Sequence, residues 1–242
     1  MSEPILTRVS RIEARCEPFR WEWAEANRML VMDHWERRRA AQPRLFNGPV
    51  LLAAEIGIVA GVLRATYFRT DYASFLAFKE LGFPDPAVAN GFAMAALVTT
   101  DEAYVLGVMS PHTANAGKIY FPGGTPDPSD LRQDGSVDLA GSVVRELREE
   151  TGLGPDGCDF AQDWVVVRDG ATLAMLKPAR LRQPGAVVRT RILEDLARDD
   201  DPELSGVRLV RSAADIDEAR MPRFIQTYLR WRFAGSAEAD QG

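Results

Sequence analysis

The chain has 242 residues, 46% of them hydrophobic and 26% charged, and 35 acidic against 29 basic side chains leave a formal charge of −6. This is the composition of a soluble globular protein long enough to bury a sizeable core, and the acidic balance offers no overall field to hold polymeric nucleic acid or an anionic membrane. Cys16 and Cys158, the only cysteines, cannot build a zinc site or a disulfide scaffold, which points to a reducing, cytoplasmic setting.

The opening segment, MSEPILTRVSRIEARCEP, alternates charge and apolar residues too closely for a targeting sequence. Within it, residues 5–14 read as a strand. Residues 19–41, free of Pro and Gly, read as a long helix. The run PRLFNGP then stops that helix, and residues 50–54 and 58–67 read as β-structure, followed by a short helix over 72–81. The most apolar stretch, 48–63, is interrupted by Glu55 and is shorter than the ~20 apolar residues of a membrane span. From residue 92 the texture changes: 92–99 and 103–110 suit a strand pair, 118–121 is a further strand running into Pro122-Gly123-Gly124, and 164–167 and 171–181 are others. A helix over 138–151 lies between them. After it come a helix over 187–198, a strand over 207–210 and a terminal helix over 220–233. This divides the chain into an N-terminal α/β lobe over 1–90, a second domain over 91–235 and a flexible tail over 236–242.

The chemistry concentrates in the helix over 138–151. Asp138 is a good N-cap and Gly152 a good C-terminal stop. At about 100° per residue, Ala140, Val143, Val144, Leu147 and Thr151 form a buried stripe, and Glu146, Glu149 and Glu150 share a neighbouring patch. Read on the helix alone, these glutamates with Arg145 and Arg148 also fit a solvated charged face. Three clustered carboxylates repel one another, and a hard divalent cation reverses the sign of that interaction.

The string Arg145-Glu146-Leu147-Arg148-Glu149-Glu150-Thr151-Gly152-Leu153 meets every specified position in the helical half of the Nudix box, and Gly123-Gly124 follows a strand and opens the loop before it, so that residues 118–153 resemble a Nudix hydrolase. The resemblance implies an α+β Nudix fold, a mixed β-sheet between helices, here with the N-terminal α/β lobe. It implies a Mg2+ or Mn2+ cofactor held by Glu149 and Glu150 with Glu146, a backbone carbonyl from Gly123 or Gly124, and Arg145 orienting the ligands. The reaction implied is hydrolysis of a nucleoside diphosphate linked to another group, so the partner is a nucleotide-type small molecule, and the family also admits a homodimer. Two box positions depart from the family: counting back from Arg145 puts Val137 where a glutamate belongs and Leu131 where a glycine belongs. If Gly124 is the glycine, the loop has grown by seven residues. Asp134 or Asp138 is the acid that compensates on this reading, with Asp138 equally readable as only the helix cap, and Val137→Glu is expected to be tolerated or mildly activating.

The general base is open between the box and a distal loop; in Asp199-Asp200-Asp201-Pro202-Glu203 the preferred member is Glu203. Over residues 43–136 the chain is similar more narrowly to the UDP-glucose and UDP-galactose pyrophosphatase branch, which implies cleavage of a UDP-sugar to UMP and a sugar 1-phosphate. Arg44, Phe46, Asn47, Tyr67 and Arg69 are the candidate substrate contacts, since Arg pairs with phosphate and an aromatic face stacks on a base. Turn formation and core packing are the competing roles for the same residues. ADP-ribose, a dinucleotide or a nucleoside triphosphate are the alternative substrates, and a non-catalytic nucleotide-binding module is the alternative function.

Overall fold

A computed structural model describes residues 3–239, with side chains described through residue 235. In chain order its elements are β1 (Ile5–Val9), β2 (Arg11–Cys16), α1 (Glu22–Ala26), α2 (Arg28–Ala41), β3 (Pro49–Val59), β4 (Val62–Asp71), α3 (Tyr72–Glu80), β5 (Val88–Val98), β6 (Tyr104–Met109), β7 (Ile119–Tyr120), β8 (Gly123–Gly124), α4 (Leu139–Thr151), β9 (Cys158–Phe160), β10 (Trp164–Asp169), β11 (Thr172–Leu181), α5 (Gly185–Leu196), β12 (Leu204–Val210) and α6 (Arg223–Ala239). The fold is α+β: a curled mixed sheet runs β1-β10-β11-β5-β3-β4-β2, and β12-β6-β7 joins it through β5. Among the described residues no helix is long and apolar enough to cross a membrane.

Strand β5 is buried along its whole length and organises everything else. One edge pairs in parallel with β11, from Asn90↔Thr172 to Val98↔Arg180. The other edge is handed on in turn: to β3 at Val88 and Ala89, to β8 at Ala93 and Met94, and to β6 at Val98. Residue 90, where the composition changes, lies just where β3 leaves. One apolar cluster fills the face under α4 and α5, with Val143, Leu147, Val188 and Ile192 packed on Ala93, Ala95 and Leu97; a second fills the face under α6. The N-terminal helices rest on their own aromatic cluster of Trp21, Phe68, Phe75 and Phe78.

Several boundaries differ from those read in the sequence, each for a local reason. The strand expected over 5–14 is two: at Ser10 the chain leaves the β10 edge and pairs next with β4, so β1 and β2 serve opposite ends of the sheet. The helix expected over 19–41 is interrupted at Asn27, whose amide donates to the Trp23 carbonyl and whose carbonyl accepts the Val31 amide. The terminal helix continues through Ala239, and of the expected tail residues 240–242 lie outside the described residues. Strands β8 and β9 were missed because they are two and three residues long.

The loop over 125–137 is pinned to the N-terminal lobe: Leu51 donates to the Pro126 carbonyl, Cys16 to Gly135, and Val137 to Ala14. Val137 itself is 7% exposed and belongs to the cluster under α4. The expectation that Val137→Glu is tolerated is therefore corrected, because a carboxylate there is taken out of water and displaces a side chain of the apolar cluster. It is expected to destabilise the protein by at least ~2 kcal/mol, lowering the thermal midpoint by roughly 4 °C or more, as circular dichroism melting will report.

Candidate active site

Helix α4 is specified at both ends. The Asp138 side chain accepts from the Gly141 amide at 2.9 Å, and Gly152 closes the helix in the left-handed region at φ 65°. Its buried seam is Leu139, Val143 and Leu147 with Ser142 and Thr151; Ala140 is exposed, so the stripe is rotated slightly from the one read in the sequence. That rotation matters for the glutamates. Glu150 is only 4% exposed and the Glu146 side chain 14%, whereas the Glu149 side chain is 58% exposed.

The two buried carboxylates lie against the Gly-Gly backbone. Gly123 donates its amide to Glu150 at 3.3 Å, and a Cβ on Gly124 would meet a Glu146 carboxylate oxygen at 2.6 Å. A Cβ on Gly123 would meet the Ala93 carbonyl at 2.3 Å across the β5–β8 pair. Only glycine lets the backbone pass between β5 and the helix at this distance. Gly123 thus reaches the site through its amide; among the described contacts neither glycine's carbonyl touches the glutamates.

Burial raises both carboxyls. Glu146 is pushed up to about 7, by desolvation first, with Arg145 opposing and Glu149, Glu203 and Asp130 adding to the rise. Glu150 is raised well above the usual carboxylate range, by desolvation and then by Glu146 and Glu203. Arg145 bridges the group, with Glu146 at 2.9 Å, Glu149 at 3.1 Å and Asp130 at 3.1 Å. As they stand, Glu146 and Glu149 are drawn to Arg145 and Glu150 to the Gly123 amide. Among the described residues no three His, Cys, Asp or Glu side chains stand, as placed, close enough together to hold a metal ion. The donor set nevertheless fits a hard divalent cation: oxygen ligands only, two of them buried, and one guanidinium against several acids.

Asp130 was not among the acids considered from the sequence. It is 5% exposed, ends the single 3-10 turn Pro128–Asp130, and accepts from Arg145 Nη2 through both oxygens, at 3.1 and 3.2 Å. Asp134 and Asp138, the acids expected to compensate for Val137, do neither: Asp134 bonds Ser136, and Asp138 caps α4 and pairs with Arg132 at 2.8 Å. The signal was legible in Asp127-Pro128-Ser129-Asp130, a reciprocal capping box in which Asp127 accepts from Ser129 at 2.6 Å and Asp130 from Asp127 at 3.0 Å.

Glu203, immediately before β12, stands near the same group. Its carboxyl is raised by partial burial and by Glu149, with His112 opposing. Arg44 pairs with Asp201 of this loop, His112 from the segment between β6 and β7 lies 3.5 Å from the same carboxylate, and Gln42 donates to the Thr113 carbonyl of that segment at 3.4 Å. Phe46 is 81% exposed, its ring over Gly48. The other proposed substrate contacts lie elsewhere. Asn47 accepts from the Ala73 amide at 2.8 Å and so anchors the start of α3. Tyr67 is fully buried with its hydroxyl on the Gly91 carbonyl at 3.2 Å, which removes it from any substrate surface. Arg69 neighbours the Cys16 thiol at the β2 edge rather than the glutamates of α4.

No family model matches the chain, and no curated protein matches it. Solved structures similar to it include a Nudix hydrolase from M. smegmatis, 18% identical over 61% of this chain and 86% of that one, with a TM-score of 0.40. A C. elegans Ap4A hydrolase in a binary complex is 16% identical over 61% and 98%, with a TM-score of 0.42. A Nudix hydrolase from Nitrosomonas europaea is 17% identical over 60% and 74%, with a TM-score of 0.34. Likenesses this distant assign neither substrate nor residue roles.

Two outcomes test the site. Asp130→Asn leaves the Asp127 contact but discharges the partner of Arg145, and is expected to reduce turnover or metal affinity about 10-fold or more; Asp134→Asn changes neither. In the presence of a chelator, the raised Glu146 carboxyl favours the protonated fold, so stability falls as pH rises from about 4.5 to about 7. Magnesium held by these carboxylates would favour the ionised form, so that its increment in thermal midpoint is expected to grow from pH 5 to pH 8.

Proposed function

We propose that the protein is a divalent-metal-dependent pyrophosphatase of the Nudix type, acting on a nucleoside diphosphate linked to another group. The observation that carries this reading is the pair of buried carboxylates, Glu146 and Glu150, held on a strand-glycine-helix unit with Glu149 and Glu203 around them. Crowded anions desolvated at one point are costly unless a cation completes them. Glu146, Glu149 and Glu150 hold Mg2+ or Mn2+ on this reading, with Arg145 and Asp130 fixing where the carboxylates point. The bound cation offsets the charge of the diphosphate and makes water more acidic. Glu203 accepts the proton of the attacking water, a task suited to a carboxyl raised toward neutrality.

The narrower substrate we favour is a UDP-sugar, cleaved to UMP and a sugar 1-phosphate. Its support is the segment Arg44-Leu45-Phe46, which carries an exposed aromatic face and a guanidinium beside the loop of Glu203. A stacked base and a paired phosphate are the ligands such groups take.

A panel of UDP-sugars, ADP-ribose, dinucleotides and nucleoside triphosphates, incubated with magnesium and resolved by chromatography, tests both levels. UMP from UDP-sugars is the expected product. Turnover of another nucleotide alone replaces the branch, and turnover of none overturns the enzyme reading. Glu150→Gln removes one buried charge at nearly constant volume, so kcat is expected to fall at least 100-fold while the fold is kept. Unchanged turnover at saturating magnesium would remove Glu150 from the ligand set.

A further inference from the structure

Lys79, Asn115 and Tyr120 have no role in the assignment above, yet they form a directed chain from α3 to Tyr120 at the end of β7, separated by two residues from the Gly123-Gly124 pair. Lys79 Nζ, in the last turn of α3, donates to Asn115 Oδ1 at 2.7 Å, and Asn115 Nδ2 donates to Tyr120 Oη at 3.1 Å. An ammonium has only protons to give, so the Asn115 oxygen faces Lys79 and its amino group faces Tyr120. Tyr120 Oη is thereby an acceptor toward Asn115, and its own proton points elsewhere. Among the described residues no hydrogen bond takes that proton.

Tyr120 is 8% exposed, begins the run into Gly123-Gly124, and senses Glu150, Glu203 and Tyr72 electrostatically. Burial and these neighbours push its ionisation far up, so the phenol remains a neutral donor across the physiological range. A buried donor without an acceptor is expensive to keep unless a ligand completes it. Among the described hydrogen bonds Glu150 accepts from Gly123 and takes none from Tyr120. We propose that Tyr120 donates a hydrogen bond to a phosphate oxygen of the bound diphosphate, and that Asn115 and Lys79 are positioning residues that aim it. The proposal rests on the pyrophosphatase reading and adds to it a substrate contact aimed by a residue of the N-terminal lobe.

Calorimetric titration with magnesium pyrophosphate, together with kinetics on whichever nucleotide is turned over, tests it. Y120F removes a single oxygen and is expected to weaken magnesium pyrophosphate binding about 10-fold, as loss of a hydrogen bond to a charged group does, with an unchanged thermal midpoint. K79M is expected to weaken binding by a smaller factor in the wild-type background and to add nothing in the Y120F background, a coupling that a purely structural lysine would not show. Equal binding by Y120F and wild type overturns the contact. A K79M effect of the same size in both backgrounds overturns the relay. If wild type binds magnesium pyrophosphate but hydrolyses no nucleotide, the enzyme reading fails while the Y120F titration still decides the Tyr120 contact; if wild type does not bind it, both fall.

Discussion

Two carboxylates buried a helical turn apart on α4 are the constraint around which this molecule is arranged. An ionised carboxylate withdrawn from water costs several kcal/mol before any partner is counted, and Glu146 and Glu150 also repel each other. Three features offset that. Arg145 reaches Glu146 from the same helix. The Gly123 amide reaches Glu150 from β8. Proton uptake, the third, is visible in the raised carboxyls. A cation would replace the proton, which is why the same geometry that burdens the fold suits a metal-dependent reaction.

The backbone path follows from this constraint. Between the edge of β5 and the helix there is room for a peptide but for no Cβ, and β8 occupies that gap only because β3 has left β5 and β6 has not yet joined it. The sheet's splay and the glycine pair are two sides of one requirement: a backbone donor must approach a buried carboxylate. Arg145, which meets Glu146 and Glu149 on its own helix, has its buried partner in Asp130, carried on a turn whose loop Leu51, Cys16 and Ala14 hold through backbone hydrogen bonds.

What was legible in the sequence was what is encoded locally. Helix α4 could be read to within a residue at each end, because Asp138 and Gly152 terminate it by short-range chemistry. Its glutamate patch followed from the helical period. What was not legible depends on who packs against whom. Tyr67 and Phe68 are adjacent in β4 and both buried, since both faces of that strand are covered, and alternation gives no hint of it. Val137 occupies a position where the family pattern has an acid, and only the contact with Ala14 and Leu139 shows that the position has become core. The buried acid that meets Arg145, Asp130, sits seven residues before Val137, beyond the reach of any spacing rule, although its capping box is written in four consecutive residues.

The segment before β5 is therefore more than an appendage to α4 and its strands. It braces the loop that delivers Asp130 to Arg145, it supplies the strand whose departure opens the place for Gly123 and Gly124, and its helix α3 ends in the lysine that orients Asn115. Its segment over 42–47 meets the loop of Glu203 through Arg44 and the segment between β6 and β7 through Gln42. Each contact is made by residues that a core reduced to α4 and its sheet would lack. The lobe and the core share one polar interior, so that separating them would leave Arg145 without its buried acid and Tyr120 without its aim, and the charged groups of α4 would then settle on one another instead of on a ligand.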